Sequence, residues 1–349
     1  MAALSHALAG LWPVKSRHVI VIAAARQFVG DPFMTSSLLP PTPSVAPIVM
    51  PAAVRTVQQA VAWAADCLAA QPLVYGHGTD NAYDEAAALV FHAAGHAHAD
   101  AARVYPLVFP TTAAVILVGL LERRIRERLP SAYLTGRTWF AGLEMRVGQG
   151  VLVPRSPLAE LIVEQFVPFL EPEQVRRVVD IGTGSGCIAI ACAYYLPLAQ
   201  VDAVDISPVA LERARENIAL HGLASRVRPV LSDHYAGLGG AHYDLIIANP
   251  PYVPAAEVAA LPAEYQHEPA LGLAAGADGL DSVRALLQGA LEHLNPGGVL
   301  LVEVGDTEAA VAATWPQLPF LWLEFAHGGG GVFLITREQL LAAAERKVS

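Results

Sequence analysis

The chain has 349 residues, 54% of them hydrophobic and only 15% charged, which is enough for two domains and a sizeable core. A formal net charge of −10 excludes loose electrostatic attraction to nucleic acid and leaves room only for a local basic patch. Three cysteines, Cys67, Cys187 and Cys192, lack metal-ligand spacing and make no disulfide framework, which points to a reducing, cytoplasmic setting.

Residues 1–49 differ from the rest of the chain. Val19-Ile20-Val21-Ile22 is a short apolar run between basic residues, and Leu38-Leu39-Pro40-Pro41-Thr42-Pro43 has a linker composition. Together they read as a disordered or spurious N-terminal extension rather than a targeting segment. The expected start of the protein proper is Met50. From Pro51 to about Ala70, Val54, Val57, Val61, Ala64 and Leu68 recur at helical spacing. A loop, Tyr75-Gly76-His77-Gly78-Thr79-Asp80-Asn81, precedes a second helix over 82–92. His92, His96 and His98 alternate with Ala and Gly and have no nearby Cys, so an exposed helix end is favoured over a metal site. A third helix ends near Arg128, ahead of Pro130. Its apolar stretch, Ala113 to Leu121, is far short of the ~18 residues of a membrane span. Residues 50–130 thus form a small helical domain.

Gly-punctuated β-formers over 131–156 suggest a connecting hairpin, closed by Pro154-Arg155-Ser156-Pro157. The prolines hold Arg155 in place, either for a salt bridge at the domain junction or for a role near a site. From 157 onward strand and helix patterns alternate. Strands are expected at 177–181, 200–206, 226–231, 243–248, 299–304, 320–325 and 332–336. Helices are expected at 187–195, 208–220, 281–294 and 307–314. Ser207-Pro208 is a good helix start. This is an α/β, doubly wound, mainly parallel sheet. The short Ala326–Gly331 link leaves no room for a crossover, so the last strand should run antiparallel.

Chemistry gathers at the ends of these strands. Asp180-Ile181-Gly182-Thr183-Gly184-Ser185-Gly186 makes a tight turn into a helix. The dinucleotide fingerprint needs its last glycine where this chain has Cys187, so a pyrophosphate cradle is disfavoured. Asp180, two residues before the first glycine, suits an amine-bearing ligand. Asp205 ends the second strand, where a carboxylate accepts both hydroxyls of a ribose. Asp233, after the third strand, suits an adenine amino group. An adenosine cofactor without phosphates, S-adenosylmethionine, fits these three features. Asn249-Pro250-Pro251-Tyr252 follows the fourth strand. Its prolines cannot donate, so the corner offers acceptors, the Asn249 side-chain oxygen and main-chain carbonyls, beside an aromatic ring.

With these residues in place, 176–336 resembles a class I S-adenosylmethionine-dependent methyltransferase. The resemblance implies a Rossmann-like seven-stranded sheet, S-adenosylmethionine bound at Asp180, Gly182, Thr183, Gly184, Gly186, Asp205, Asp233 and Asn249, and methylation of a planar nitrogen. Asn249, Pro250 and Tyr252 would then be catalytic, with Pro251 beside them against the substrate. Residues 50–349 resemble the bacterial N5-glutamine methyltransferases, including Glu268-Pro269-Ala270-Leu271 and Gly276-Ala277-Asp278-Gly279-Leu280. Members that act on release factors carry Pro-Arg-Pro-Glu-Thr at the hairpin exit. This chain instead has Pro154-Arg155-Ser156-Pro157. Gly76 to Glu85 and Leu271 to Gly276 are similar to the members that methylate a glutamine of large-subunit ribosomal protein 3. The resemblance therefore implies that ribosomal protein as partner, no membrane, no metal and no direct nucleic-acid recognition. Release-factor methylation is the near alternative. DNA adenine methylation is the distant one, and it needs a basic recognition region that this acidic chain does not display.

Overall fold

The computed structural model describes residues 47–97 and 101–348, all within one compact unit, Val45–Ser349. The expected extension over 1–49 lies outside the described residues except at its last three positions, and His98 lies outside them too. Ile48 and Met50 both pack against the helical core, so folded structure begins ahead of Met50.

Five helices lead: α1 (Val57–Ala69), α2 (Ala82–Ala94), α3 (Ala101–Val104), α4 (Thr111–Glu127) and α5 (Ser131–Thr135). The first begins at a capping box, in which Thr56 Oγ1 accepts the Gln59 N–H and the Gln59 side chain accepts the Thr56 N–H. Two otherwise orphaned donors are satisfied there, a local contribution of about 1 kcal/mol. The Asn81 side chain caps α2 by accepting the Asp84 N–H, and Gly95 closes the helix in the left-handed conformation. Val57, Val61, Leu68, Leu89, Phe91, Leu117 and Leu121 meet between the helices as their core.

The hairpin is shorter than its sequence suggests. β1 (Arg137–Phe140) pairs antiparallel with β2 (Leu143–Arg146) through a two-residue turn at Ala141 and Gly142, both with positive φ. Beyond Arg146 the chain leaves the ladder. Val147, Val151 and Val153 turn inward with Ala132 and Ala210 to form a small cluster of their own, and this burial overrides their β propensity.

The remainder is α6 (Leu158–Val163), β3 (Arg177–Ile181), α7 (Cys187–Tyr195), β4 (Gln200–Asp205), α8 (Pro208–Leu220), β5 (Val227–Leu231), β6 (Tyr243–Ala248), α9 (Ala255–Val258), α10 (Asp281–His293), β7 (Leu294–Glu303), α11 (Glu308–Thr314), β8 (Leu321–Trp322), β9 (Val332–Thr336) and α12 (Arg337–Val348). The sheet order is β5-β4-β3-β6-β7-β9-β8, parallel from β5 to β7, with β9 antiparallel to both neighbours. This is the class I methyltransferase fold expected, with departures at single elements. The strand expected over 320–325 shrinks to Leu321–Trp322 at the sheet edge. The helix α12 was not expected from the sequence, although it packs Leu340 and Ala343 beneath the sheet. Its polar composition, Glu338, Gln339, Glu345, Arg346 and Lys347, hides the apolar stripe.

Parallel strands buried on both faces explain the unbroken apolar runs Leu245–Ala248 and Val299–Val302. The registers matter more for function. Ile181 lies opposite Val204 on one side and Ala248 on the other, and Ala248 lies opposite Val302. The next residues along these strands are therefore neighbours in one row across the carboxyl edge of the sheet: Asp205, Gly182, Asn249 and Glu303.

Candidate functional site

That row lies at the point where the strand order reverses about β3, the usual ligand crevice of an open α/β sheet. A cavity of about 250 Å³ opens there. Gly182, Gly184, Asp205, Asp233, Asn249, Pro250 and Pro251 line it, with Leu152, Leu271 and Gly272 as apolar cover. Seven of the residues singled out from the sequence thus converge on one space. The remaining four, Asp180, Thr183, Gly186 and Tyr252, do not line it.

The glycine turn is built by its backbone. Gly182, Gly184 and Gly186 all have positive φ. The N–H groups of Gly182 and Thr183 both donate to the Val204 carbonyl, at 2.9 and 2.8 Å, which folds the turn over β4. A Cβ at Gly184 would meet no atom within 4 Å, so this face of the turn is open space in which a ligand can approach the main chain. At Gly186, by contrast, a Cβ would come within 3.1 Å of the Ala214 Cβ, so this glycine serves the contact between α7 and α8.

Asp205 accepts the Gly184 N–H through Oδ2 and the Ser207 N–H through Oδ1, each at 2.8 Å. Burial raises its pKa and these bonds oppose the rise. The carboxylate is locked in position with lone pairs left over, as a bidentate acceptor of a diol requires. Asp233 sits at the rim, exposed, with His234 Nδ1 2.7 Å from its Oδ1.

The Asp180 carboxylate is fully buried beneath the turn. Its Oδ2 accepts the Thr183 hydroxyl at 2.5 Å and the Ala189 N–H at 3.1 Å. Burial pushes its pKa up to about 7 against these two bonds, with Asp205 adding to the rise. Through Oδ2, Asp180 supports the glycine turn together with Thr183, while its buried Oδ1 accepts no hydrogen bond from the described residues. Tyr252 does not line the cavity, and its ring packs over Gly305, where a Cβ would stand 2.7 Å from Cε2.

Arg155 resolves toward the junction. It forms a bidentate pair with Glu268, Nη1 to Oε1 at 2.6 Å and Nη2 to Oε2 at 2.7 Å, while the Val153 N–H also donates to Oε1. His77 lies buried beside this pair, 3.8 Å from Glu268 and edge-on to Tyr265. Burial pushes its pKa down to about 4, so it is neutral at ordinary pH.

Glu303 was not singled out from the sequence. It ends β7, is 6% exposed, and accepts the Ser156 hydroxyl. Asn249 is its neighbour in the row across the sheet edge, and the Asn249 side chain favours the charged form of this carboxyl. The signal was present, since Glu303 follows an apolar strand just as Asp180 and Asp205 do. Among the described residues no group of acidic, His or Cys side chains is arranged to hold a metal ion, and no helix is long and apolar enough to cross a membrane.

The donor set fits S-adenosylmethionine. An open glycine turn, a fixed carboxylate for a diol and a rim carboxylate occur together, and no cluster of cations for a phosphate lines the cavity. Comparison with known proteins agrees. The Methyltransferase small domain family matches residues 161–263. Ribosomal protein uL3 glutamine methyltransferase of Bordetella pertussis is 44% identical over 289 residues, spanning 82% of this chain and 96% of that protein. Its namesake from Neisseria gonorrhoeae is 46% identical over 277 residues, 77% of this chain and 90% of the other. Among solved structures, a methyltransferase from Pyrococcus furiosus is similar at 20% identity and a TM-score of 0.41, over 56% of this chain and 89% of that one.

Proposed function

The chain belongs to the family of ribosomal protein uL3 glutamine methyltransferases, and from this membership we infer that it transfers a methyl group from S-adenosylmethionine to the side-chain amide nitrogen of a glutamine in ribosomal protein uL3. The observation that supports this chemistry is the row Asp205, Gly182, Asn249 at one sheet edge, around one cavity. When bound, S-adenosylmethionine supplies an electrophilic methyl group on its sulfonium. The Gly182–Gly186 turn and Asp205 hold it, and Asp233 reaches it from the rim.

An amide nitrogen is a poor nucleophile, because its lone pair is delocalised into the carbonyl. In this reading the chain compensates by positioning. Asn249 Oδ1 and the Pro250 carbonyl each accept one N–H of the glutamine amide, which fixes its plane and aims the nitrogen. The same acceptors favour the positive charge that grows on nitrogen as the new bond forms. No general base is needed before transfer, since the proton leaves afterwards. Pro250 and Pro251 keep the corner rigid, and Tyr252 braces it against Gly305. The helical N-terminal region, 50–130, reads the ribosomal protein, and 131–156 connects it to the catalytic part, 157–349. The enzyme works in the cytoplasm, where uL3 is made.

The test is methyl transfer from labelled S-adenosylmethionine with uL3, a release factor and duplex DNA offered side by side, followed by mass mapping of the product. Label on a single uL3 glutamine is expected. Preferential labelling of the release factor or of DNA would overturn the assignment.

A further inference from the structure

Glu303 stands beside Asn249 because β6 and β7 are parallel neighbours in the register Ala248↔Val302. Its carboxylate is buried among few partners. Ser156 donates its hydroxyl proton to Oε2 of the ionised carboxylate, and the same hydroxyl oxygen accepts the Leu158 N–H at 3.1 Å. Asn249, next to it in the row set by that register, favours the ionised carboxylate, as an amide N–H presented to it does. Arg155 acts on Glu303 only at a distance, being committed to Glu268 through both of its terminal nitrogens. Opposite, β9 contributes Val332, which carries no charge.

An ionised carboxylate only accepts hydrogen bonds, whereas an asparagine amide has one acceptor and two donors. Against Glu303 the amide of Asn249 can present only its nitrogen. Its oxygen must then point the other way, toward the cavity. We propose that Glu303, held by Ser156, is a positioning residue for methyl transfer: it sets the orientation of the Asn249 carboxamide so that Oδ1 faces the substrate amide. This rests on the reading of Asn249 as the acceptor of the substrate N–H. It also gives Ser156, which distinguishes the hairpin exit from that of the release-factor enzymes, a chemical task.

A protonated Glu303, or a glutamine in its place, can donate to Asn249 Oδ1 and compete with the substrate for it. Burial raises the Glu303 pKa to about 7, while the Ser156 bond, the Arg155 charge and the Asn249 bond oppose the rise. Tyr252 lies within electrostatic reach of Glu303 and of Asp306. Turnover should therefore fall as pH drops through about 7, and this acid limb belongs to Glu303.

The experiment measures kcat and KM for methyl transfer to uL3 across this pH range, with S-adenosylmethionine affinity by calorimetry, for the wild type, Glu303→Gln, Ser156→Ala and Asn249→Ala. Glu303→Gln is expected to lower kcat roughly 10- to 100-fold, the usual cost of removing a group that orients a site residue, with KM for the cofactor within about threefold. Its acid limb should disappear. Ser156→Ala should move the limb to higher pH, because a bond that favours the carboxylate is lost. Glu303→Gln within about twofold of wild type with its acid limb intact would overturn the proposal. If Glu303→Gln fails to bind cofactor, Ser156→Ala decides: a shifted limb supports the role and an unshifted one removes it. Wild-type turnover in Asn249→Ala would instead remove the reading of Asn249 on which the proposal stands.

Discussion

An asparagine at the corner of β6 has one acceptor and two donors to place, and the site needs only the acceptor. Removing the whole group by Asn249→Ala should leave the glycine turn and Asp205 intact while the substrate amide loses its fixed partner. Turnover is expected to fall at least ~100-fold, comparable to the loss of one preorganised hydrogen-bonding group in other enzymes. Cofactor affinity, read by calorimetry, should stay within about threefold. Asp205→Ala is the complementary case. Two backbone N–H groups, of Gly184 and Ser207, lose their acceptor together with the diol site. A charge-assisted bond contributes about 1.5–3 kcal/mol, so cofactor binding should weaken roughly 10- to 100-fold. Unchanged affinity would mean that the ribose is held elsewhere.

At the scale of elements, the glycine turn is supported by the fit of α7 against α8 as much as by its own backbone. Gly186 has φ +82°, and a Cβ there would press on Ala214. Gly186→Ala combines backbone strain with overpacking, and each costs about 1–3 kcal/mol. A drop in the denaturant midpoint is expected, and cofactor binding should decline with it because the same residue ends the turn. Legibility in the sequence divides along this line. Gly182, Asp205 and Asn249 could be picked out because each follows its own strand within a residue or two, and strand ends converge in a parallel sheet. Glu303 required the strand order, which periodicity does not supply. Its partner Ser156 is 147 positions away, and no local pattern links them. Asp180 could be picked out as an acid near a strand end, but a sequence cannot show that it lies fully buried beneath the turn. The strand pattern over 320–325 overstated a two-residue edge, and α12 was lost because its buried stripe is narrow.

Across the whole molecule, the helices are bound to the catalytic half by ion pairs removed from water. Arg124, on α4, is 1% exposed and is shared by Glu85 on α2, Glu264 beyond β6 and the Val74 carbonyl. Glu264 Oε1 also accepts from Arg128 and from the Val74 N–H, each at 3.1 Å. Burial pushes the Glu264 pKa up, but the Val74 and Arg124 hydrogen bonds outweigh it and hold this carboxyl below its ordinary value. Removing the cation strands the buried Glu85 carboxylate and leaves Glu264 only Arg128 as a cationic partner. Arg124→Met should therefore cost about 3–5 kcal/mol, visible as a lower thermal midpoint. A midpoint unchanged from wild type would show that the network contributes nothing to cohesion.

The position of Glu264 has a consequence for anyone wishing to retarget the enzyme. Specificity is commonly altered by grafting, joining the recognition half of one relative to the chemical half of another. Here the seam does not fall at the hairpin, where the chain crosses only once. The segment after the catalytic corner sends Glu264 into the helices and Glu268 to the hairpin exit. A chimera cut between 130 and 157 would place foreign helices against a carboxylate made for Arg124 and Arg128. A graft that keeps the protein folded must carry residues 253–280 together with the helices, which brings the donor's own support for the corner with it.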